Sequence, residues 1–132
     1  MLAVYQGLSQ AEGHSYAQAK VDPSLGKYAA HTALTDIEAT VFYYQQKGTV
    51  MKGAVTRAPN VTGISLQSVP LKATIVDCVD SNHYYETNAK TGVPVKSTYT
   101  GSRRHIVMST AERSKTGTWK IYTSVIDRDR TC

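Results

Sequence analysis

Apolar and polar residues change their spacing once along this chain, at Gly48. Before it, apolar positions recur at helical intervals; after it, they tend to alternate. Leu2, Tyr5 and Leu8 recur every three residues, and Glu12, Tyr16 and Ala19 prolong that face more weakly. The pattern predicts an amphipathic helix to about Lys20, with Gly13 as a soft spot. Asp22-Pro23 marks a restart, with Asp as cap and proline at the first helical position, where a missing N–H costs nothing. Leu25, Tyr28 and Ala29 form the apolar side of a short second helix. Thr35-Asp36-Ile37-Glu38 has capping-box spacing for a third helix, which starts there or already near Ala30. Leu34, Ile37, Val41 and Tyr44 line one face of it, and Gly48 suits its C-terminal cap.

Beyond Gly48 the strands follow. Thr49 to Arg57 predicts the first, turned by Pro59-Asn60, and Val61 to Ser68 a second before Pro70. Lys72 to Asp80 predicts a central strand, because both its faces are fairly apolar. His83 to Thr87 extends it, ahead of a turn over Asn88 to Gly92. Val93 to Thr100 predicts an edge segment broken by Pro94. Arg104 to Glu112 is a further strand, with Ile106 and Met108 on one face and Val107 on the other. Ser114-Lys115-Thr116-Gly117 is the tightest hairpin signal. The last strand runs from Thr118 to about Arg128, with Trp119, Ile121, Thr123 and Val125 on one side. Helices first and strands afterwards predict an α+β domain spanning 1–132: three N-terminal helices over about 2–47, packed on a strongly curved, mostly antiparallel sheet over about 49–130.

Composition supports a folded soluble chain. Its 132 residues are enough to bury a sizeable core, and 41% hydrophobic against 19% charged residues argues against disorder. The formal net charge of +5 favours anionic partners in principle. The basic residues are scattered, however, with Arg103-Arg104 the only doublet, so no nucleic-acid module is indicated. No stretch reaches the ~20 apolar residues of a membrane span. No charged-then-apolar leader opens the chain, and Met1-Leu2 fits a start placed after a removed export or anchor segment. Membrane attachment is therefore expected only through such a segment.

Two cysteines are present, Cys78 in the central strand and Cys132 at the last position. A terminal cysteine is hard to explain as core packing, since chain ends fray. Joined to Cys78 it would close a loop of about 54 residues, for which chain entropy gives about 4 kcal/mol, and would imply an oxidising, extracytoplasmic compartment. Two unrelated thiols are the alternative. Two cysteines cannot complete a four-cysteine zinc site and no histidine pair has finger-like spacing, so no metal and no cofactor is expected.

The order of long, short and long helix, the Asp22-Pro23-x-Leu25 start of the short one, and Gly117-Thr118-Trp119-Lys120-Ile121 opening the final strand resemble the nuclear transport factor 2-like superfamily. The Asp77-Cys78-Val79-Asp80 strand with a terminal cysteine is similar, more narrowly, to small exported actinobacterial proteins of this fold. The resemblance implies a cone in which the curved sheet wraps the helices around a cavity. Enzymes of the superfamily place acids, bases and tyrosines there. Relatives without chemistry use the open sheet face for dimerisation or assembly, and some secretion and conjugation machines carry such a domain just outside the membrane. One fold with many roles does not settle function.

The candidate chemistry is sparse. Asp77 and Asp80 point to opposite faces of a strand and form no carboxylate pair. Either would serve as a general base if an apolar cavity raised its pKa; a surface carboxylate, or one paired with Arg104 or Arg128, is the simpler account. His105 shares a face with Val107 and Ser109 and would act as acid or base if it faced the cavity. Nine tyrosines stand against one phenylalanine, and Tyr43-Tyr44 and Tyr84-Tyr85 are adjacent, so one of each pair points inward. Tyr44, Asp77 and His105 are the possible cavity groups. Arg103 and Arg104 are possible anion contacts, or a solvated edge that opposes aggregation. No nucleophile elbow or phosphate loop occurs, and no catalytic set is assigned.

Two readings follow. The first is a non-enzymatic exported or membrane-tethered binding and assembly domain of the cell envelope, holding a protein partner or a second copy through its sheet. The second is a small-molecule enzyme of isomerase or dehydratase type, which needs an open cavity with converging polar groups.

Overall fold

Hydrogen bonding along the first third of the chain closes three helices, and the remainder pairs into two sheets. The computed structural model describes residues 1–132. Its elements are α1 (Leu2–Gln18), α2 (Leu25–Tyr28), α3 (His31–Lys47), β1 (Thr49–Gly53), β2 (Pro59–Ser65), β3 (Lys72–Asp80), β4 (Tyr84–Asn88), β5 (Arg104–Arg113) and β6 (Trp119–Asp127). All strand pairs are antiparallel: β1 with β4, and β2-β3-β5-β6 as a four-stranded sheet. This is the α+β architecture that the order of helical and alternating segments predicts. No helix is long and apolar enough to cross a membrane.

The helix ends follow local chemistry. Asp22 accepts hydrogen bonds from the amide and hydroxyl of Ser24, so Asp22-Pro23 makes the turn before α2 rather than its first turn. Thr35 lies inside α3, its hydroxyl bonded back to the carbonyl of His31, which displaces the capping-box reading in favour of the earlier start. Gly48 ends α3 in the left-handed region, at φ 67°.

The strands depart from alternation in four places. β1 stops at Gly53, and Pro59 opens β2 instead of turning the chain. Tyr84–Asn88 does not prolong β3, because a turn at Asn82-His83 swings it across to pair with β1. The 93–100 segment forms no strand; only an isolated bridge ties Pro94 to Thr87. On β6 the register passes from Thr110–Thr123 to Ala111–Ile121, so Tyr122 is an extra residue. This bulge reverses the alternation beyond it. Ile121 is fully buried, whereas Val125, expected on the same side, is 62% exposed. β5 is interior to the sheet, so Arg104 guards no edge.

The core forms where α1, α2 and α3 cover the inner face of the sheet. Tyr5, Leu8, Leu25, Val41, Ile75 and Ile121 are among its buried members. Two glycines position the β1–β4 ribbon against it. Both have positive φ, but a Cβ at Gly53 would run into the carbonyl oxygen of His83, while nothing stands near Gly48. Gly48→Ala should therefore lose about 1–2 kcal/mol, the left-handed penalty alone. Gly53→Ala should lose clearly more in the same urea titration, because backbone cannot move aside as a side chain can.

Candidate functional site

Two features stand out, a buried ion-pair network and the cavity it borders. Asp77 sits on the inner face of β3, where neighbouring Ala73 and Ile75 are buried, and its side chain is 0% exposed. The Tyr5 hydroxyl donates to its Oδ2 at 2.6 Å, Arg57 Nη1 at 3.2 Å, and the Ala58 amide donates to Oδ1 at 2.7 Å. Arg57 Nη1 also donates to the Tyr5 hydroxyl oxygen at 3.0 Å, and its guanidinium lies over the Tyr5 ring. A buried carboxylate persists only with such partners. The network joins α1, the segment after β1, and β3. Burial of the Tyr5 phenol, with Asp77 beside it, raises its pKa well above the usual tyrosine value.

A cavity of about 940 Å³ lies between α1, α3 and the inner face of the sheet. Glu12 and Tyr16 reach it from α1, Tyr44 from α3 and Tyr84 from β4; Arg103 and His105 reach it from the start of β5. The exposed side chains of His14, Tyr99 and Ile126 stand at its rim. Glu12 is 29% exposed and 3.8 Å from Arg57 Nη2, too long for a hydrogen bond. Desolvation raises its carboxyl above the ordinary range, and the Arg57 charge offsets this only in part. Burial also lifts the phenols around it. Tyr44 is pushed up to about 12, by desolvation first and then by Glu86 and other neighbours. Tyr16 and Tyr84 move further in the same direction, desolvation again leading and the Glu12 charge adding to it. The Tyr16 and Tyr44 rings meet edge to face at 5.4 Å. The Nε of Arg57 is buried and without a partner.

The residues expected from sequence are distributed as follows. Tyr44 and His105 face the cavity, and His105 is buried with Nε2 3.2 Å from the Tyr99 hydroxyl. Asp77 does not line it: every oxygen of that carboxylate is already hydrogen-bonded, which leaves none for a substrate proton. Its partner is Arg57 rather than Arg104 or Arg128, while Asp80 pairs with Arg104 at 3.7 Å. Arg103 donates to the carbonyls of Ser81 and Tyr84 and lies over the Tyr85 ring. Of the adjacent tyrosines, Tyr44 and Tyr84 point inward while Tyr43 and Tyr85 are exposed. Cys78 and Cys132 are joined in a disulfide. Glu12 and Arg57 emerge only from the structure. For Glu12 the available signal was a carboxylate on an otherwise apolar helix face; for Arg57 there was none.

No protein-family model matches the chain. No curated protein is similar to it in sequence. Among solved structures, the intermembrane-space region of the chloroplast protein ARC6 superimposes with a TM-score of 0.60 at 11% identity, covering 94% of this chain and 91% of that one. A ketosteroid isomerase-like protein from Erwinia carotovora atroseptica SCRI1043 is matched over 93% of this chain and 92% of that one, at 16% identity and a TM-score of 0.43. The second score is below that of a shared fold, so the likeness of fold rests on the ARC6 region.

The network and Glu12 have separable consequences. Asp77→Ala should cost about 3–5 kcal/mol, because it strands a buried guanidinium. Tyr5→Phe, which leaves Arg57 and Asp77 paired, should cost about 1–2 kcal/mol; equal losses in chemical denaturation would contradict the geometry. Glu12 has a folded pKa above its unfolded value of 4.5. The folded state therefore binds the proton more tightly, and stability falls as pH rises from there through the raised pKa. Urea midpoints of the wild type should drop across that window relative to Glu12→Gln.

Proposed function

We propose that this chain is a non-enzymatic binding and assembly domain that works outside the cytoplasm, in the cell envelope, and associates with a second copy of itself through the outer face of the four-stranded sheet. The observation that carries the reading is an apolar row across that face. Val76, Met108 and Val125 are cross-strand neighbours on β3, β5 and β6. Met108 is 40% and Val125 62% exposed. Along the strands, both flanks of the row carry both signs of charge. Asp80–Arg104 and Asp127–Arg130 pair at one end; Lys72, Glu112 and Lys120 lie in register at the other. Two such faces can meet in either sense without setting a block of like charges against another.

The disulfide supports the compartment, since such bonds persist where thiols are not kept reduced. The fold likeness is compatible with it, as the ARC6 region is an intermembrane-space one. A role within a secretion or conjugation machine is a finer form of the same reading. A second reading, isomerase- or dehydratase-type chemistry, is favoured by the cavity being open rather than filled. In it the acid or base would be Glu12, the cavity carboxyl with unspent oxygens.

Multi-angle light scattering decides the main reading. The wild type should run as a dimer or larger species, and Val125→Asp should be monomeric with an unchanged circular dichroism spectrum. A wild type that stays monomeric at high concentration removes the reading.

A further inference from the structure

The polar end of the cavity has hydrogen-bonding capacity that the chain itself leaves unspent. The hydroxyls of Tyr44 and Tyr84 make no hydrogen bond within the protein, and the buried Nε of Arg57 has no acceptor. Glu12 accepts nothing either. The two hydroxyls are open to the cavity, where a ligand's oxygens can meet them, whereas the Arg57 Nε is enclosed by the protein itself. The arginine's charge is already matched by Asp77, so the cluster of Arg57, Asp77 and Glu12 sums to about −1 when Glu12 is ionised. A bare second anion would be repelled there. A carboxylate arriving with one proton would not change the sum. The remaining wall is apolar, from Met51, Val55, Val79 and Val107, and Arg103 and Arg128 add positive charge to the lining.

We propose that the cavity binds an amphipathic monocarboxylate. Its tail lies along the apolar wall, and its head pairs with Glu12 through one shared proton under the hydroxyls of Tyr44 and Tyr84. The step is protonation only: at a pH above the pKa of Glu12, ligand and Glu12 are both ionised before they meet, and they take one proton from solvent and hold it between their oxygens. The groups facing Glu12 are Tyr16 on its own helix, Asp36 and Tyr44 on α3, Arg57 after β1 and Tyr84 on β4, with Asp77 behind Arg57. None but Glu12 combines a raised carboxyl pKa with free oxygens. Arg103 and Arg128 in the lining would draw the anion in. The site stands independently of the sheet-face reading, because it lies on the opposite side of the sheet.

Isothermal titration calorimetry of the full chain with dodecanoate, in buffers of differing ionisation enthalpy, tests this. Binding should take up about one proton, and affinity should fall about tenfold per pH unit above the pKa of Glu12. In Glu12→Gln the proton uptake should vanish and the affinity should become flat with pH. Tyr44→Phe and Tyr84→Phe should each weaken binding several-fold while leaving the proton uptake intact. Circular dichroism confirms that each variant is folded, and the wild-type proton count stands as a test even if one is not. Absence of dodecanoate binding at millimolar concentration overturns the proposal. So does proton uptake retained in Glu12→Gln, or tighter binding of dodecyltrimethylammonium, which would reverse the polarity of the site.

Discussion

The inner end of the fold depends on one buried carboxylate. Asp77 has no access to solvent, and its contacts come from two other parts of the chain: a phenol from α1, and a guanidinium and an amide from the segment between β1 and β2. Helix, connecting segment and sheet are thereby held at one point with directional bonds. Apolar contacts from Leu8, Leu25, Ile75 and Ile121 supply area around that point but no orientation. An ion pair of this kind is weak evidence for net stability. What it does settle is which way Arg57 faces.

That orientation shapes the cavity. Because Arg57 spends Nη1 on Asp77 and Tyr5, it reaches Glu12 only at 3.8 Å and leaves Nε without a partner. The carboxyl of Glu12 is held near a cation without being hydrogen-bonded to it, and three lining tyrosines lose solvent around it. A satisfied network and an unsatisfied one thus share a residue. The first fixes Arg57 by directional bonds, and the second leaves the space beside it polar.

Much of the architecture was legible in the chain. The switch of period at Gly48, the bounds of β3, the Ser114–Gly117 hairpin and the shared face of His105, Val107 and Ser109 each follow from local rules that tertiary structure did not override. The same holds for one tyrosine of each adjacent pair facing in. What failed was non-local. β4 pairs with β1 because a turn redirects it, and no periodicity reports which strand a partner will be. Asp77 was a possible cavity group or an ion-paired carboxylate on sequence alone, and which of the two it is depends on Arg57, twenty residues away. The resemblance to the nuclear transport factor 2-like superfamily anticipated helices packed on an antiparallel sheet beside a cavity.

The extra residue at Tyr122 reaches beyond β6 itself. Up to Ile121 the strand feeds the interior with odd-numbered side chains; past the bulge the even-numbered Ser124 and Ile126 take over that duty, and Val125 is released to the far surface. One inserted position lets a single strand supply core, pocket wall and outer surface in turn. A map of substitution tolerance along β6 would accordingly slip by one residue midway, and alignments that place a gap anywhere but there would assign half the strand to the wrong environment.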